Sequence, residues 1–329
     1  MTMTKSITKS ALSLAALGTV LALLQSTPAQ ALNTQSYVSN TGSDLNDCSS
    51  VAGACATFQR ALSQTTAGGE ITVVNTGQYG PASINKSVNI SNDGAGEASI
   101  RVPISATGIN ISAGAGDVIS LRGLVIDGQG TGANAMFIAT SAVHVQNCVL
   151  RNFTSLGGGF GIVLEPNSAS LFVSDTIIFN NGSVAGTGGI MISPFGTASA
   201  NVVLDRVHLE NNVVGLLVDG SLSTGNGAHV VIRDSVVSGN ASDGIRAFSQ
   251  PGKAPAFLVV EHTTVANNGG TGILANGPRA TMLLDGNVVS RNGVGINAIN
   301  SGQLISYGNN KVNNNLGADG VPTGSYSPI

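Results

Sequence analysis

The sequence predicts an all-β solenoid with three short strands in each coil and a short helix over its N-terminal end. The first observation is a repeat that begins near residue 115. In each copy an apolar strand leads to an asparagine, a short turn, a glycine followed by an aliphatic residue, and another strand. Successive asparagines lie about 22 to 31 residues apart, which is typical of solenoid coils. The repeated asparagines are Asn152, Asn181, Asn212, Asn240, Asn268, Asn292 and Asn314.

The second observation is that this repeat brings aliphatic residues into columns. Side chains of a strand alternate between its two faces, so positions that are aliphatic in every coil are expected to point into the core. One column lies three residues before each asparagine: Val149, Ile178, Leu209, Val237, Val265 and Val289. Two more lie one and three residues after each glycine: Ile162/Leu164, Ile190/Ile192, Leu216/Val218, Ile245/Ala247, Ile273/Ala275 and Ile296/Ala298.

Strands are favoured over helices because the segments are short, rich in β-branched residues and interrupted every few residues by glycine or asparagine. The asparagines fall at turns, where two interpretations stay open. Stacked asparagines could hydrogen-bond to the same residue in the neighbouring coils, as in cross-β ladders. Alternatively, each is an exposed turn residue that tolerates left-handed backbone geometry.

Residues 1–31 are predicted to be a secretory signal peptide. Lys5 and Lys9 supply a short basic start, an apolar stretch follows, and Ala29-Gln30-Ala31 matches an A-x-A cleavage site. Cleavage is therefore expected after Ala31. The mature chain contains no later apolar run long enough to cross a membrane. We expect an exported protein, either periplasmic or extracellular.

The segment that follows predicts a strand, a cysteine-bounded loop and a capping helix. Cys48 and Cys55 bracket a short polar loop, and in an exported chain they are expected to form a disulfide. The sequence ATFQRALSQ has helical spacing, with Phe58, Ala61 and Leu62 on one face. A helix lying over the open end of a solenoid would protect its first edge strand.

This organisation, together with the opening phrase YVSNTGSDLN, resembles the secreted right-handed parallel β-helix proteins of the pectate-lyase-like superfamily. Members with this opening often continue with Pro-Cys-x-Thr-Phe, where this chain has Ala54 in place of the proline. The resemblance implies a single-stranded right-handed parallel β-helix over residues 85–316. Residues 32–84 would form the N-terminal strand, loop and cap, and residues 317–329 a C-terminal tail. The repeat is degenerate, so the resemblance is informative about fold far more than about activity.

A charged cluster in the segment LDRVHLENN could be mistaken for an active site, because only 9% of the chain is charged. Its members are Asp205, Arg206, His208 and Glu210. If Asn212 rather than Asn211 belongs to the repeated column, Leu209 occupies the inward aliphatic position. That register also gives two columns of mostly alternating charge: Asp175, Arg206, Asp234, His262 and Asp205, Arg233, Glu261, Asp285. We therefore interpret Asp205 and Arg206 as surface ion-pair partners, with a cation held by the carboxylates as the alternative.

The strands after each glycine carry the candidate catalytic residues on their outward positions. Two outward columns are predicted: Val163, Met191, Leu217, Arg246, Leu274, Asn297 and Glu165, Ser193, Asp219, Phe248, Asn276, Ile299. Glu165 and Asp219 are two coils apart, so their backbones are expected about 9–10 Å apart. That spacing suits an inverting acid and base pair. Arg246, one coil further on, could bind an acidic sugar.

Two functions follow from these observations. The first is a binding or surface-interaction role directed at a glycan, favoured by an expected exposed apolar stripe on these strands and by the lack of any catalytic signature. The alternative is a polysaccharide lyase or glycoside hydrolase that uses Glu165, Asp219 and Arg246 on an acidic polysaccharide. No cofactor motif is evident, calcium is possible, and the metal ligands are unknown. The net charge of −3 argues against a nucleic-acid partner.

Overall fold

The computed structural model describes residues 32–166 and 168–327, so the predicted signal peptide lies outside the described residues. These residues form three parallel sheets, here called sheets 1, 2 and 3 in the order in which each coil visits them. Consecutive strands of one sheet are one coil apart along the chain, which is the architecture of a parallel β-helix. The predicted all-β solenoid with three strands per coil is confirmed.

The strands are numbered in chain order. Sheet 1 contains twelve: β1 (Asn33–Val38), β2 (Thr65–Val73), β5 (Val88–Ser91), β8 (Val118–Arg122), β11 (Ser141–Gln146), β14 (Ala169–Ser174), β17 (Ser199–Asp205), β20 (Gly227–Arg233), β23 (Ala256–Glu261), β26 (Ala280–Asp285), β29 (Gln303–Ser306) and β31 (Gly324–Ser325). Sheet 2 contains ten: β3 (Gly77–Gln78), β6 (Ala98–Arg101), β9 (Leu124–Asp127), β12 (Val149–Arg151), β15 (Ile177–Phe179), β18 (His208–Glu210), β21 (Val236–Ser238), β24 (Thr264–Ala266), β27 (Val288–Ser290) and β30 (Lys311–Val312). Sheet 3 contains nine: β4 (Ala82–Ile84), β7 (Thr107–Ile111), β10 (Asn134–Ile138), β13 (Phe160–Leu164), β16 (Gly188–Ile192), β19 (Val214–Asp219), β22 (Ile245–Phe248), β25 (Thr271–Asn276) and β28 (Val294–Ile299).

The predicted core columns fill the interior of the coils. Ile178, Leu209, Val237, Val265 and Val289 are all fully buried. Each such side chain stabilises the fold by about 1.5–3 kcal/mol relative to an exposed one. The prediction was wrong for Val149, which is only half-buried, because Leu150 occupies the inward position of that coil. The pairs after each glycine are buried as predicted, except that Ala298 in the last coil is only partly covered.

The turn from sheet 1 to sheet 2 is two residues long and uses left-handed backbone geometry. Its first residue has φ between 47° and 62° in six successive coils: Asn147, Asp175, Arg206, Asp234, His262 and Gly286. Asparagine, aspartate and glycine adopt this geometry at low cost, and histidine is also enriched there, whereas Arg206 adopts it against its preference. The second residue is buried, and in later coils its polar side chain accepts a backbone hydrogen bond from the previous coil, as Ser235 does from the Val207 amide at 3.0 Å.

The turn from sheet 2 to sheet 3 carries a buried asparagine ladder, which settles the two interpretations in favour of stacking. Its rungs are Asn181, Asn212, Asn240, Asn268, Asn292 and Asn315. From Asn212 onward, each side-chain oxygen accepts from the backbone amide of the rung before it, so groups that would otherwise be unpaired inside the solenoid are satisfied. The predicted choice of Asn212 over Asn211 is confirmed.

The two ends of the predicted asparagine column were off by one residue. Phe153, not Asn152, stands in register with the ladder, since its backbone amide donates to Oδ1 of Asn181 at 3.1 Å. Asn315, not Asn314, forms the last rung. Asn152 and Asn314 both have left-handed φ values and occupy the position before the rung, where asparagine is favoured for its backbone geometry instead.

The repeated glycine is required because the coils approach one another at this point. A Cβ atom added to Gly189 would lie 2.5 Å from the backbone oxygen of Gly215 in the next coil. The equivalent atom on Gly244 would lie 2.7 Å from the oxygen of Gly272. Such contacts are far shorter than van der Waals separation, so glycine here serves close packing and not a special φ value.

The N-terminal helix, α1 (Phe58–Gln64), begins at Thr57, whose hydroxyl caps the helix by accepting from the Arg60 amide at 3.1 Å. Phe58, Ala61 and Leu62 are buried, as the helical spacing predicted, and the helix packs against β1, β2 and β4. Cys48 and Cys55 are joined by a disulfide with their Cα atoms 5.0 Å apart.

The sheets extend on both sides of residues 85–316. Strands β1 to β4 precede that range and pair within the same three sheets, and β31 lies beyond it and pairs with β29. The C-terminal segment therefore contributes a strand to sheet 1.

Candidate functional site

The outward columns of sheet 3 have the predicted register. Val163 pairs with Met191, Met191 with Leu217, and Leu217 with Arg246. The prediction that these columns form an exposed apolar stripe was wrong, however. Val163 is only 3% exposed and Leu274 only 7% exposed, while Met191 and Leu217 are half-buried. Gly157 and Gly158 of the loop before β13 line the same depression as Val163.

Glu165 lies directly after β13 in a depression of about 200 Å³. The depression is lined by Asn134, Phe137, Gly157, Gly158, Phe160, Val163, Glu165 and Met191. Burial among these mostly apolar groups raises the pKa of the Glu165 carboxyl above its ordinary value. Within the described residues no group donates a hydrogen bond to this carboxylate, so it is a half-buried acid without an internal partner.

Asp219 and Arg246 lie on the same face but do not join Glu165 in one contact network. Asp219 accepts a hydrogen bond from the Ser221 amide at 2.7 Å, which fixes the turn after β19. The Arg246 guanidinium lies 4.0 Å from the Asp243 carboxylate and 5.8 Å from the ring centre of Phe248. The structure thus places the three predicted catalytic residues on one face in the expected register, and whether they act together stays a prediction.

The charged cluster of LDRVHLENN forms ion pairs at the corner between sheets 1 and 2. Arg206 bonds both oxygens of Asp175, at 2.7 and 3.0 Å, and also contacts Asp205. Asp205 in turn accepts from Arg233 of the next coil at 3.1 Å. These pairs confirm the alternating charge columns at this corner. Over the residues that the structure describes, the columns form no further ion pairs beyond these coils.

His208 and Glu210 point outward from β18 and form a local pair. The His208 Nδ1 atom lies 2.8 Å from the Glu210 Oε1 atom. Both side chains are partly exposed and lie two residues apart on one face of a strand. With this pair, all four members of the cluster have ion-pair partners, which favours the structural interpretation.

A concave surface lies elsewhere, on the outward face of sheet 1, and is here called the sheet 1 groove. One part, of about 390 Å³, is lined by Ser199, Asn201, Gly225, Asn226, His229, Pro255 and Arg279. A second part, of about 230 Å³, shares Ser199 and Asn201 and continues along Ala115, Ser141, Ala142, Ser168, Ala169 and Ser170. The groove therefore runs from the loop before β8 to the loop before β26, which is six strand spacings or about 29 Å.

The lining of the sheet 1 groove is polar and contains no carboxylate. Serine hydroxyls line the end near β11, and His229 and Arg279 line the end near β26. The Arg279 side chain donates from Nε to the backbone oxygen of Lys253 at 3.1 Å, so a second basic residue lies beside this end. The groove offers hydrogen-bond donors and acceptors along its length and positive charge at one end.

Aromatic side chains stand on the same face of sheet 1. The rings of His144 and Phe172 are stacked with their centres 4.7 Å apart, and those of His229 and Phe257 are tilted with centres 6.0 Å apart. Phe172 is 40% exposed. These are flat apolar surfaces next to the polar groove, a combination suited to ligands with both apolar faces and hydroxyl edges.

Sequence reasoning missed this groove, although a signal was present. In β20 the inward residues are Ala228, Val230 and Ile232, so alternation places His229 on the outward face. The same rule places Asn201 and Phe257 beside it in the neighbouring strands.

Two further findings bear on the class of site. Among the described residues, no group of three or more histidine, cysteine, aspartate or glutamate side chains is arranged to hold a metal ion. In the same part of the chain, no helix has the length and apolar character needed to cross a membrane.

These coils define a parallel β-helix protein, and the comparisons specify its kind. Residues 194–317 match the family model described as "Right handed beta helix region", so the solenoid is right-handed. No curated protein sequence matches the chain.

Solved structures share the fold at low sequence identity. Pectate lyase Pel9A is 16% identical, with a TM-score of 0.64 over 89% of this chain and 80% of its own. An alginate lyase from Paenibacillus sp. str. FPU-7 is 12% identical, with a TM-score of 0.57 over 89% of this chain and 98% of its own. ORF18 of Geobacillus virus E2 is 13% identical, with a TM-score of 0.50 over 94% of this chain and 64% of its own. The chain therefore has a pectate-lyase-like fold.

Proposed function

We propose that the protein is an exported glycan-binding protein that holds an extended polysaccharide chain in the sheet 1 groove. The observation that carries the proposal is the groove itself, which is lined by hydroxyl, amide, imidazole and guanidinium groups from four consecutive strands, β11, β14, β17 and β20, and from neighbouring loops. A linear polymer needs such a site, because its successive units require similar polar contacts at regular intervals. Outward side chains repeat with every coil of the solenoid and supply those intervals.

The aromatic side chains on the same face support a carbohydrate ligand. A sugar ring has hydroxyls at its edge and a less polar face, and Phe172 and Phe257 offer surfaces for that face. Two of the structures with a similar fold are named as lyases of the polysaccharides pectate and alginate. Because identity is so low, this likeness only adds support for the ligand class.

A direct test measures binding of the mature chain, residues 32–329, to pectate, alginate and neutral polysaccharides by affinity electrophoresis and calorimetry. The double variant Asn201→Ala/His229→Ala removes two polar contacts from the centre of the groove. We expect binding to weaken by about tenfold or more, since each lost hydrogen bond contributes roughly 0.5–1.5 kcal/mol. The matched control is His208→Ala, which removes an exposed histidine from sheet 2. Absence of binding across the panel, or equal binding by the double variant, would refute the proposal.

A second candidate function is a polysaccharide lyase or hydrolase on sheet 3, favoured by the environment of Glu165. Burial raises the pKa of this carboxyl, as a general acid requires, and Asp219 lies two strands further on the same face. The same polysaccharide panel decides the matter if reducing ends and unsaturated products are measured, with and without calcium. Turnover that is abolished by both Glu165→Gln and Asp219→Asn would establish the enzyme. Binding without turnover leaves the first function alone.

A further inference from the structure

Glu165 combines features that a surface carboxylate does not usually have. It is half-buried and is the only charged residue that lines its depression. An ionised carboxylate without a partner is unfavourable among apolar groups, and the raised pKa of Glu165 reflects this cost. The cost is recovered when a cation with its own hydrogen-bond donors enters the depression.

The surrounding side chains specify which kind of cation fits. Phe137 and Phe160 line the depression together with Val163 and Met191. Aromatic rings attract ammonium groups through their negative faces, and apolar side chains accept the carbon skeleton that carries the charge. A strongly hydrated metal ion would need several more oxygen ligands than this lining offers.

We propose that this depression binds an organic ammonium group, namely the protonated amine of an amino sugar. The volume of about 200 Å³ exceeds that of an ammonium group alone and suits a small ring attached to it. Asn134 lines the same depression, where its Oδ1 accepts from the Phe160 amide at 3.3 Å while its Nδ2 has no partner among the described residues. That amide is available to a sugar hydroxyl. The site lies on sheet 3 and does not depend on the proposed use of the sheet 1 groove.

The methionines of the mature chain provide a direct readout. They are Met136, Met191 and Met282, of which Met191 lines the depression while the other two are fully buried in the core. With ¹³C-methyl methionine, glucosamine is expected to shift the Met191 signal in a saturable manner and leave the other two signals unchanged. Glucose and N-acetylglucosamine, which lack the charged amine, are expected to shift it far less.

Two variants and a control make the test specific. Glu165→Gln keeps the shape and removes the charge, so glucosamine affinity is expected to fall by about tenfold or more. Met191→Lys places a competing ammonium group beside Glu165 and is expected to have the same effect. Glu210→Gln removes a partly exposed carboxylate from sheet 2, outside the depression, and is expected to leave affinity unchanged. Equal binding by Glu165→Gln, or an equal response to N-acetylglucosamine, would overturn the proposal. An equal response to tetramethylammonium would overturn the assignment to an amino sugar.

Discussion

The Nδ2 atom of Asn240 donates a hydrogen bond to the Oδ1 atom of Asn268 in the next coil, at a distance of 2.8 Å. The same Nδ2 atom donates to the backbone oxygen of Leu209, and Oδ1 of Asn240 accepts from the Asn212 amide. One buried side chain thus ties together three coils. The ladder satisfies backbone groups that lie too deep in the solenoid for water to reach.

Replacing a rung is therefore expected to destabilise the fold. Asn240→Ala leaves the buried Asn212 amide and Leu209 carbonyl without this partner, at a cost of about 2–3 kcal/mol in the free energy of unfolding. Urea unfolding followed by circular dichroism measures the loss. The control is Asn110→Ala, which removes an exposed asparagine from β7. A loss in Asn240→Ala no larger than in this control would contradict the structural role of the ladder.

The glycine beside the ladder is expected to be equally intolerant of change. Gly189→Ala brings a Cβ atom to 2.5 Å from the Gly215 oxygen, so the two coils must separate at that point. A destabilisation of about 1–3 kcal/mol is expected from this overpacking. Gly116→Ala is the matched control, since its added methyl group meets nothing within 4 Å. Equal thermal midpoints for the two variants would show that the coils yield without cost.

The ion pair between Arg206 and Asp175 makes a small contribution that depends on pH. The hydrogen bond from Arg206 lowers the pKa of the Asp175 carboxyl below its ordinary value. The stabilisation is therefore complete above the unfolded-state pKa, near 4, and is lost as the pH falls through the lower folded-state value. Asp175→Asn is expected to cost at most about 1 kcal/mol at neutral pH, because the pair is exposed to solvent.

The control for Asp175→Asn is Asp234→Asn. Asp234 occupies the same turn position as Asp175 and Arg206, in the coil that follows Arg206. Both residues have left-handed φ values that asparagine adopts readily, so backbone strain is the same. Asp234 forms no ion pair within the described part of the chain. The urea midpoints of the two variants should become equal when the pH lies below the folded-state pKa of Asp175. If they still differ at that pH, the ion pair is not the cause of the difference.

Arg279 is expected to set the charge preference of the sheet 1 groove. It is the guanidinium at the basic end of a lining that contains no carboxylate. Arg279→Gln is expected to weaken the binding of pectate or alginate severalfold, to leave neutral polysaccharides unaffected and to reduce the salt dependence of acidic ligands. Calorimetry at two salt concentrations distinguishes these effects. A uniform loss for neutral and acidic ligands would mean that Arg279 shapes the groove and does not select for charge.

Cys148 is expected to be inert in the folded protein. It is buried at the turn between β11 and β12, and burial raises the pKa of its thiol to about 11. Little thiolate exists at neutral pH, and reagents have no access to it. In the absence of reductant, a colorimetric thiol reagent should detect no thiol in the folded protein and one thiol per chain after unfolding. Rapid modification of the native protein would contradict this burial.

The repeat made the fold predictable because each coil imposes the same demands on its sequence. Inward positions are aliphatic, an asparagine forms the rung, and a glycine follows three residues later, as Leu209, Asn212 and Gly215 show within one coil. Such columns are visible without coordinates. The errors at Asn152 and Asn314 came from adjacent asparagines that serve a different purpose, namely left-handed backbone geometry.

The sequence by itself determined the solenoid, its inward columns apart from Val149, and the register of sheet 3, since these follow from a local period. Only the tertiary structure decided which outward face is concave. The sheet 1 groove is shaped by loops such as residues 220–226, whose path depends on packing against neighbouring coils and follows no periodic rule. The tertiary structure also decided that Val163 is buried and that Glu165 has no charged neighbour in its depression. Side-chain direction follows from alternation along a strand, whereas enclosure depends on chain segments far apart in the sequence.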